Sequence, residues 1–254
     1  MNLLLNKILG DNYSSQSQKI RVLTEAWVED FVFCPSCGEK IYNYTNNKPV
    51  ADFYCKKCSE DFELKSKRGK IGKIVPAGAY SKMIERINSE TKPNFFFMGY
   101  LESLSVNDFF VIPKHFFVSK IIEKRNPLKD TARRAGWVGS NILFSKIPKA
   151  GQIFYVENGK EIDKKEVLEK WQKTAFLKQI TKADAKGWIL DIMNCIDTLN
   201  KKEFTLADMY AFESDLQKLH PENNHIRDKI RQQLQLLRDK NYLVFTGNGI
   251  YQLS

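Results

Sequence analysis

Four of the five cysteines in this chain form two closely spaced pairs, which strongly limits how the surrounding segment can fold. The pairs lie in Phe33-Cys34-Pro35-Ser36-Cys37 and in Asp52-Phe53-Tyr54-Cys55-Lys56-Lys57-Cys58. Seventeen residues separate Cys37 from Cys55, a spacing typical of four-thiolate zinc sites. Because four thiolates leave no open position on a tetrahedral ion, we predict a structural zinc. Its ligands are Cys34, Cys37, Cys55 and Cys58.

The composition favours a cytoplasmic protein with a polyanionic partner. The net charge is +10 and the pI is near 9.2, which favours nucleic acid first and an acidic membrane surface second. Neither a secretory signal nor an apolar run of membrane-spanning length is visible in the sequence. Paired cysteines suit metal binding in a reducing cytosol, whereas Cys195 lies apart in an apolar segment and is predicted to be a small core residue.

The first two thirds of the chain predict a mixed α/β core. Apolar residues at helical spacing predict one helix through Ile20, Leu23, Trp27 and Phe31, capped by Ser15 or Ser17. Short aromatic runs separated by turns predict strands, and longer periodic runs predict helices. The expected strands are 50–54, 61–67, 94–100, 109–112 and 152–156, the expected helices are 79–88 and 164–176, and 66–72 is expected to be a basic loop.

The last third predicts a winged helix-turn-helix after a polar linker at 178–186. Three apolar stripes predict three helices, and a Gly-Asn-Gly turn between apolar runs predicts a terminal hairpin. Thr205 with Asp208 three residues later predicts a capping box at the second helix. We therefore expect an α/β catalytic domain at 1–181 and an all-α/winged-helix DNA-binding domain at 182–254. The three stripes are Ile189, Ile192, Ile196 and Leu199; Met209, Phe212, Leu216 and Leu219; and Ile226, Ile230, Leu234 and Leu237.

Three charged residues beside the second cysteine pair predict a metal-dependent phosphodiesterase site. On a strand, Glu63 and Lys65 project from one face, and an antiparallel strand before them can bring Asp52 to the same side. Carboxylates suit Mg²⁺, and the main-chain carbonyl of Leu64 lies between the two charged positions as a further ligand. Lysine then positions water or stabilises developing charge. The alternative is an exposed acid–lysine surface pair.

The order Pro-x-x-Asp followed by Glu-x-Lys resembles the PD-(D/E)xK nuclease superfamily. The chain as a whole resembles the DpnI-like methyl-directed restriction endonucleases, from about residue 17 to the end. That resemblance implies Asp52, Glu63 and Lys65 as the catalytic set, a structural zinc, and cleavage of double-stranded DNA at GATC sites carrying N6-methyladenine in a bacterial cytoplasm. The matching stretches are Pro49 to Cys55, Phe62-Glu63-Leu64-Lys65-Ser66-Lys67, Thr131-Ala132-Arg133-Arg134-Ala135-Gly136-Trp137, and Asn223-Asn224-His225-Ile226 through Arg231-Gln232-Gln233-Leu234-Gln235.

Candidate DNA-binding residues form three groups. Cations in the basic loop can lie along phosphates, an Arg-Arg pair with a tryptophan offers charge and apolar area, and polar residues of the third C-terminal helix suit a major groove. Solvated loop and helix positions and a core tryptophan are the alternatives. The groups are Lys67, Arg68 and Lys70; Arg133, Arg134 and Trp137; and Asn223, Asn224, His225, Arg227, Arg231 and Gln235.

Two other functions are compatible with these residues. A non-catalytic zinc and winged-helix regulator would bind DNA without cutting it, and a repair nuclease of the same superfamily would follow DNA structure rather than a methylated site. No obligate protein partner is predicted. We further hypothesise that both domains read the methylated site.

Overall fold

The computed structural model describes residues 1–44 and 51–254, so Pro49 and Val50 of the predicted motif and strand lie outside the described residues. The chain divides into two compact units, one of Met1–Ser145 with Gly151–Gln172 and the other of Lys146–Ala150 with Lys173–Ser254. The domain boundary between 181 and 182 stays a prediction. Within the described residues, no helix is both long and apolar enough to span a bilayer.

The first unit alternates strands and helices. Short 3₁₀ turns connect several of them, at Lys7–Gly10, Lys114–Phe116, Ser119–Ile121 and Phe144–Lys146. Its regular elements are α1 (Gln16–Phe31), β1 (Ile41–Asn43), β2 (Phe53–Cys55), β3 (Asp61–Arg68), β4 (Ile74–Ala79), α2 (Tyr80–Asn88), β5 (Asn94–Tyr100), β6 (Val106–Ile112), β7 (Ile122–Lys124), β8 (Gly139–Leu143), β9 (Ile153–Glu157), β10 (Lys160–Glu161) and α3 (Lys164–Thr174).

A seven-stranded mixed sheet forms the centre of this unit, in the order β1-β2-β3-β5-β6-β9-β10. The pairing of β3 with β5 is parallel, and the other pairings in this sheet are antiparallel. Every residue of β5 is buried, as expected for a central strand covered on both faces. A second sheet has the order β4-β8-β7. The mixed α/β prediction is confirmed, although the sequence analysis did not predict this second sheet.

Helix α1 covers one face of the large sheet. Trp27 of α1 lies edge-on to Phe109 of β6, with 5.2 Å between ring centroids. On the same side, the rings of Phe62 in β3 and Phe96 in β5 stack at 4.7 Å. Burial of such an aromatic side chain contributes a few kcal/mol to the free energy of folding, and it determines which face of β3 packs against the core.

Three local predictions for the first unit differ from the structure. Ser15 is the N-cap of α1, but its side chain makes no capping hydrogen bond. Strand β3 runs through Arg68, so the first part of the expected basic loop is strand, because Ser66, Lys67 and Arg68 pair with residues 98–100. Helix α3 ends at Thr174 and continues as a 3₁₀ turn over Ala175–Gln179, at the start of the predicted linker.

The second unit is a winged helix-turn-helix, as predicted. Three strands form a sheet in the order β11-β13-β12, and the capping box at Thr205 and Asp208 is present, with both reciprocal hydrogen bonds. The elements are α4 (Ala183–Leu199), β11 (Glu203–Thr205), α5 (Leu206–Tyr210), α6 (Glu213–Leu219), α7 (Ile226–Asp239), β12 (Leu243–Gly247) and β13 (Ile250–Leu253).

The second of the three predicted C-terminal helices is two helices in the structure. The chain breaks at Ala211 and Phe212 between α5 and α6. Met209 and Leu216 are buried as expected, but Leu219, the last residue of α6, is 57% exposed. The stripes of α4 and α7 are buried at Ile189, Ile192, Ile196, Ile226, Ile230, Leu234 and Leu237.

Candidate active site

The turn between β2 and β3 brings the predicted carboxylates and lysine together. Antiparallel pairing sets Phe53 opposite Phe62 and Tyr54 opposite Asp61. Asp52 precedes β2, and its carboxylate accepts a hydrogen bond of 2.7 Å from the backbone N–H of Leu64. Glu63 and Lys65 flank Leu64 on the other face of β3 from Phe62, because side chains alternate along a strand. The Asp52 carboxylate is therefore held beside the Glu63–Lys65 segment.

The Glu63 carboxylate lies between two cations. Lys65 Nζ donates to Glu63 Oε1 at 2.9 Å, and an arginine nitrogen of Arg86 from α2 lies 3.2 Å from Glu63 Oε2. All three side chains are about one quarter exposed. Lys65 also lies over the ring of Phe95, 5.4 Å from its centroid. Partial burial strengthens these ion pairs relative to surface pairs.

The pKa of Asp52 is raised, first by burial and then by the negative charge of Glu63. The hydrogen bond from Leu64 and the charges of Arg21 and Lys65 act in the opposite direction. Arg21 of α1 lies 3.9 Å from the Asp52 carboxylate and donates to Glu25 at 2.6 Å. Burial also raises the pKa of Glu25. Three carboxylates thus gather in one partly buried region.

A cleft of about 810 Å³ opens at these carboxylates. Asp52, Glu63 and Arg86 line it from the sheet and α2, and Arg21 and Glu25 line it from α1. Carboxylate oxygens that are already partly desolvated fit a divalent cation such as Mg²⁺, and the charge of Glu63 that raises the pKa of Asp52 would be offset by such an ion. The donor set of Asp52 and Glu63 therefore fits this metal, and the Leu64 carbonyl as a third donor stays a prediction.

The four paired cysteines converge at the other end of β2. Their sulfur atoms all lie within 4.8 Å of one another. The distance between Sγ atoms is 3.4 Å for Cys34 and Cys58 and 3.5 Å for Cys37 and Cys55. These distances exceed a disulfide bond and are close to the roughly 3.8 Å expected for tetrahedral thiolates around zinc.

The surroundings of the cysteine cluster also fit zinc. The backbone N–H of Gly38 donates to Cys34 O at 2.8 Å and that of Ser59 to Cys55 O at 2.9 Å, which closes a tight turn after each pair. Burial raises the pKa of the Cys37 thiol to about 11, so a thiolate there needs a cation beside it. The four-cysteine set is thus compatible with zinc, and Cys195 lies in helix α4 of the other unit, half-buried rather than fully buried.

The predicted cations of the basic segment do not meet the carboxylates in this structure. Lys67 and Arg68 are exposed at the end of β3, and Arg68 pairs with Glu102 at 3.3 Å. Gly69 ends the strand in the left-handed region, with φ at 84°, and Lys70 follows in the exposed turn. Their binding to DNA stays a prediction.

The Arg-Arg-x-x-Trp segment forms a compact surface loop. Trp137 is half-buried rather than a core residue, and the Arg134 guanidinium lies 4.5 Å from its ring centroid. Arg133 is exposed. The Trp137 ring lies so close to Gly139 that a Cβ at that glycine would be 2.8 Å from ring atoms. An ordered aromatic face with a stacked cation is therefore presented at the surface.

The candidate recognition helix is α7, and its predicted residues lie at the surface. Asn223 and Asn224 precede the helix rather than belonging to it, and the Asn223 side chain accepts from the backbone N–H of His225, the N-cap, at 2.8 Å. Arg227 pairs with Glu213 at 2.8 Å, and Arg231 donates to the hydroxyl of Tyr210. Gln235 is exposed one turn further along.

Arg86, Arg21 and Glu25 were missed by sequence reasoning. Each contributes from a helix to a site that the sequence indicates only on strands. Arg86 lies more than twenty residues beyond Glu63, and nothing in its local pattern marks it. A clue existed for the α1 pair, since Arg21 and Glu25 are four residues apart on the polar side of a predicted helix.

Comparison with protein families gives two matches that together cover nearly the whole chain. Residues 1–180 match the family described as DpnI: Dam-replacing family. Residues 184–253 match the domain described as DpnI_C: Dam-replacing HTH domain.

Proposed function

The chain belongs to the DpnI, or Dam-replacing, family, and from that premise we propose an Mg²⁺-dependent endonuclease that cleaves double-stranded DNA at GATC sites carrying N6-methyladenine. The family itself supports a methyl-dependent restriction endonuclease with a DNA substrate. The observation that carries the metal-dependent chemistry is that Asp52 and Glu63 line one cleft, while the Lys65 ammonium donates to the Glu63 carboxylate. We assign the first unit to the PD-(D/E)xK type on that arrangement.

Asp52 and Glu63, together with the Leu64 carbonyl, would hold the catalytic metal. When bound, Mg²⁺ polarises the scissile phosphate and lowers the pKa of a bound water. The Lys65 ammonium, 2.9 Å from Glu63, orients the attacking water and stabilises charge that develops on the phosphate. The Leu64 N–H fixes the Asp52 carboxylate at 2.7 Å, so the donor does not need to reorganise.

Zinc at the four cysteines has a structural role in this proposal. The cysteine turns lie at the end of β2 opposite Asp52, and Cys55 N–H donates to Glu60 O at 2.9 Å just before β3. A closed four-thiolate site supplies folding free energy rather than an open coordination position. Holding this turn fixes the spacing between Asp52 and Glu63.

Recognition of the methyl group needs more than one contact. Burial of one methyl carbon is worth about 0.8 kcal/mol, roughly fourfold in affinity. Two methyl groups in a palindrome, each tested by two domains, multiply this discrimination. We therefore assign methyl reading both to the Arg133, Arg134 and Trp137 segment and to helix α7 with the residues before it.

Plasmid cleavage separates this function from its alternatives. We expect Mg²⁺-dependent cutting of plasmid methylated at GATC adenines and no cutting of unmethylated plasmid. A regulator would bind without cutting, and a repair nuclease would cut according to DNA structure regardless of methylation. In the Lys65→Ala variant, cutting should be lost while binding remains. The matched control is Lys82→Ala, whose lysine pairs with Glu85 at 2.8 Å on the outer face of α2.

A binding experiment tests whether the second unit reads the mark. The isolated winged helix (residues 182–254), shown to be folded by circular dichroism, should bind methylated duplex several-fold more tightly than unmethylated duplex. Equal affinities would remove methyl reading from this unit and leave the cleavage activity of the first unit untouched.

A further inference from the structure

Three tyrosines form a continuous strip across β1 and β2, which we call the tyrosine strip: Tyr42, Tyr44 and Tyr54. Tyr42 of β1 pairs with Tyr54 of β2, and their ring centroids lie 5.9 Å apart. The ring of Tyr44 stacks on the other side of Tyr54 at 4.5 Å. All three side chains are half-buried, so the strip presents aromatic area to solvent rather than belonging to the core.

Two exposed lysines lie over one end of the tyrosine strip. Lys56 Nζ is 4.0 Å from the ring centroid of Tyr42, and Lys40 Nζ is 5.8 Å from the same centroid. In the described part of the chain, neither lysine forms a salt bridge with a carboxylate. The neighbouring Lys57 behaves differently, because it pairs with Glu39 at 2.8 Å. Two cations are thus held over an aromatic surface, and no carboxylate among residues 1–44 and 51–254 forms a salt bridge with either of them.

The tyrosine strip shares a sheet face with the catalytic residues. Tyr54 lies opposite Asp61 in the pairing of β2 with β3, and the Tyr44 hydroxyl donates to the Asp61 carboxylate at 2.8 Å. Asp61, Glu63 and Lys65 are every second residue of β3, so their side chains project from that same face. Two strand spacings and two residues along β3 separate Tyr42 from Glu63, which places them roughly 12 Å apart.

We propose that the tyrosine strip with Lys40 and Lys56 binds the backbone of duplex DNA beyond the methylated site. The inference rests on the proposed nuclease function, because it takes the Glu63 face as the place where DNA is cut. About 12 Å corresponds to three or four base pairs at roughly 3.4 Å each, so a contact that far outward from a scissile phosphate within the site falls outside the four base pairs of the site. The lysines meet phosphates, the tyrosine rings pack on deoxyribose, and the hydroxyls of Tyr42 and Tyr54 donate to phosphate oxygens. Such contacts add affinity and register without reading sequence.

The salt dependence of binding tests the charge part of this proposal. The full chain carrying Lys65→Ala, which is expected to bind without cutting, is titrated with a methylated duplex of about 20 base pairs at several salt concentrations. Each lost phosphate contact should reduce the slope of log affinity against log salt by about 0.9, so Lys40→Gln with Lys56→Gln should reduce it by about 1.8. Lys57→Gln is the matched control and should leave the slope unchanged. Equal slopes for the double variant and the control would overturn the proposal.

Replacing charged phosphates of the DNA by neutral methylphosphonates tests where Lys40 and Lys56 contact the duplex. Methylphosphonates are placed in the sequence flanking the methylated site, three to five base pairs from its centre. They should weaken binding of the protein with both lysines present several-fold, and have little further effect on the Lys40→Gln, Lys56→Gln variant, which is the signature of a direct pair in a double-mutant cycle. If the two losses add in full, the lysines do not contact these phosphates. Failure of the proposed nuclease function can be distinguished from failure of this binding proposal. It would appear as no cleavage of the methylated plasmid by the protein with Lys65 present.

Discussion

Replacing Arg86 should separate two effects of the cations that flank Glu63: repulsion of the bound metal, and orientation of the Glu63 carboxylate. The guanidinium lies 3.2 Å from Glu63 Oε2, and a metal on that carboxylate would lie a further 2 Å or so away. A unit charge about 5 Å from a dication costs roughly 1.7 kcal/mol of repulsion in the high-dielectric limit. Salt screening reduces this, so Arg86→Met should bind Mg²⁺ about tenfold more tightly.

The same substitution should lower the rate at saturating Mg²⁺. Arg86 and Lys65 each hold one oxygen of Glu63, and removing one of two orienting partners of a metal ligand typically costs ten- to hundredfold in activity. The loss of a partly buried charged hydrogen bond should also lower the free energy of unfolding by about 1–2 kcal/mol.

The measurement is the Mg²⁺ dependence of single-turnover cleavage, supported by calorimetric titration of Mg²⁺ without DNA. We expect a lower Mg²⁺ midpoint together with a lower plateau for Arg86→Met, and a near-normal midpoint for Arg86→Lys. Lys82→Met on the same helix should change neither, because its salt bridge is with Glu85 at the surface. A midpoint that rises or stays fixed while the plateau falls would refute the electrostatic reasoning and leave Arg86 with a purely structural role.

Three other perturbations have definite expected outcomes. Cys58→Ser should remove zinc, measured by elemental analysis, and strongly lower the melting temperature, since structural zinc is worth about 10–16 kcal/mol in small zinc domains. The control variant Cys195→Ser should retain the metal. Equal zinc content in both variants would contradict the four-cysteine site. Thr205→Ala removes the capping box and should cost about 1 kcal/mol in thermal unfolding, with Thr205→Ser near normal; equal melting of the Ala and Ser variants would argue against the cap. Gly139→Ala places a Cβ 2.8 Å from the Trp137 ring and should therefore displace that ring. We expect a reduced preference for methylated over unmethylated duplex in a binding assay. An unchanged preference would exclude Trp137 from methyl reading.

Local sequence signals predicted strand β3 and its surroundings well. Cysteine spacing, the alternation of Glu63 and Lys65, and the buried aromatic run in β5 are all properties of a few consecutive residues, and each has a direct structural counterpart. The capping box at Thr205 belongs to the same class, because its two hydrogen bonds join residues three apart.

Features that depend on tertiary contacts were not predictable in this way. Arg86 meets Glu63 because α2 packs on β4 and β7 at a position from which the arginine side chain reaches β3, and no spacing in the chain reveals this. Strand β3 continues through Lys67 and Arg68, although these are charged, because β5 supplies backbone partners up to Tyr100. The break at Phe212 similarly overrides a continuous apolar periodicity.

The tight turn at Cys55–Cys58 has a consequence for the length of this segment. Phe62 and Leu64 face the apolar interior under α1, and their neighbours Glu63 and Lys65 face the other way. A single residue inserted between Cys58 and Phe62 would shift the alternation by one and direct both charges into hydrocarbon, while Phe62 would point into the cleft. The four-cysteine turn therefore fixes the number of residues that precede Glu63 in β3, and this segment should tolerate substitutions far more easily than insertions or deletions.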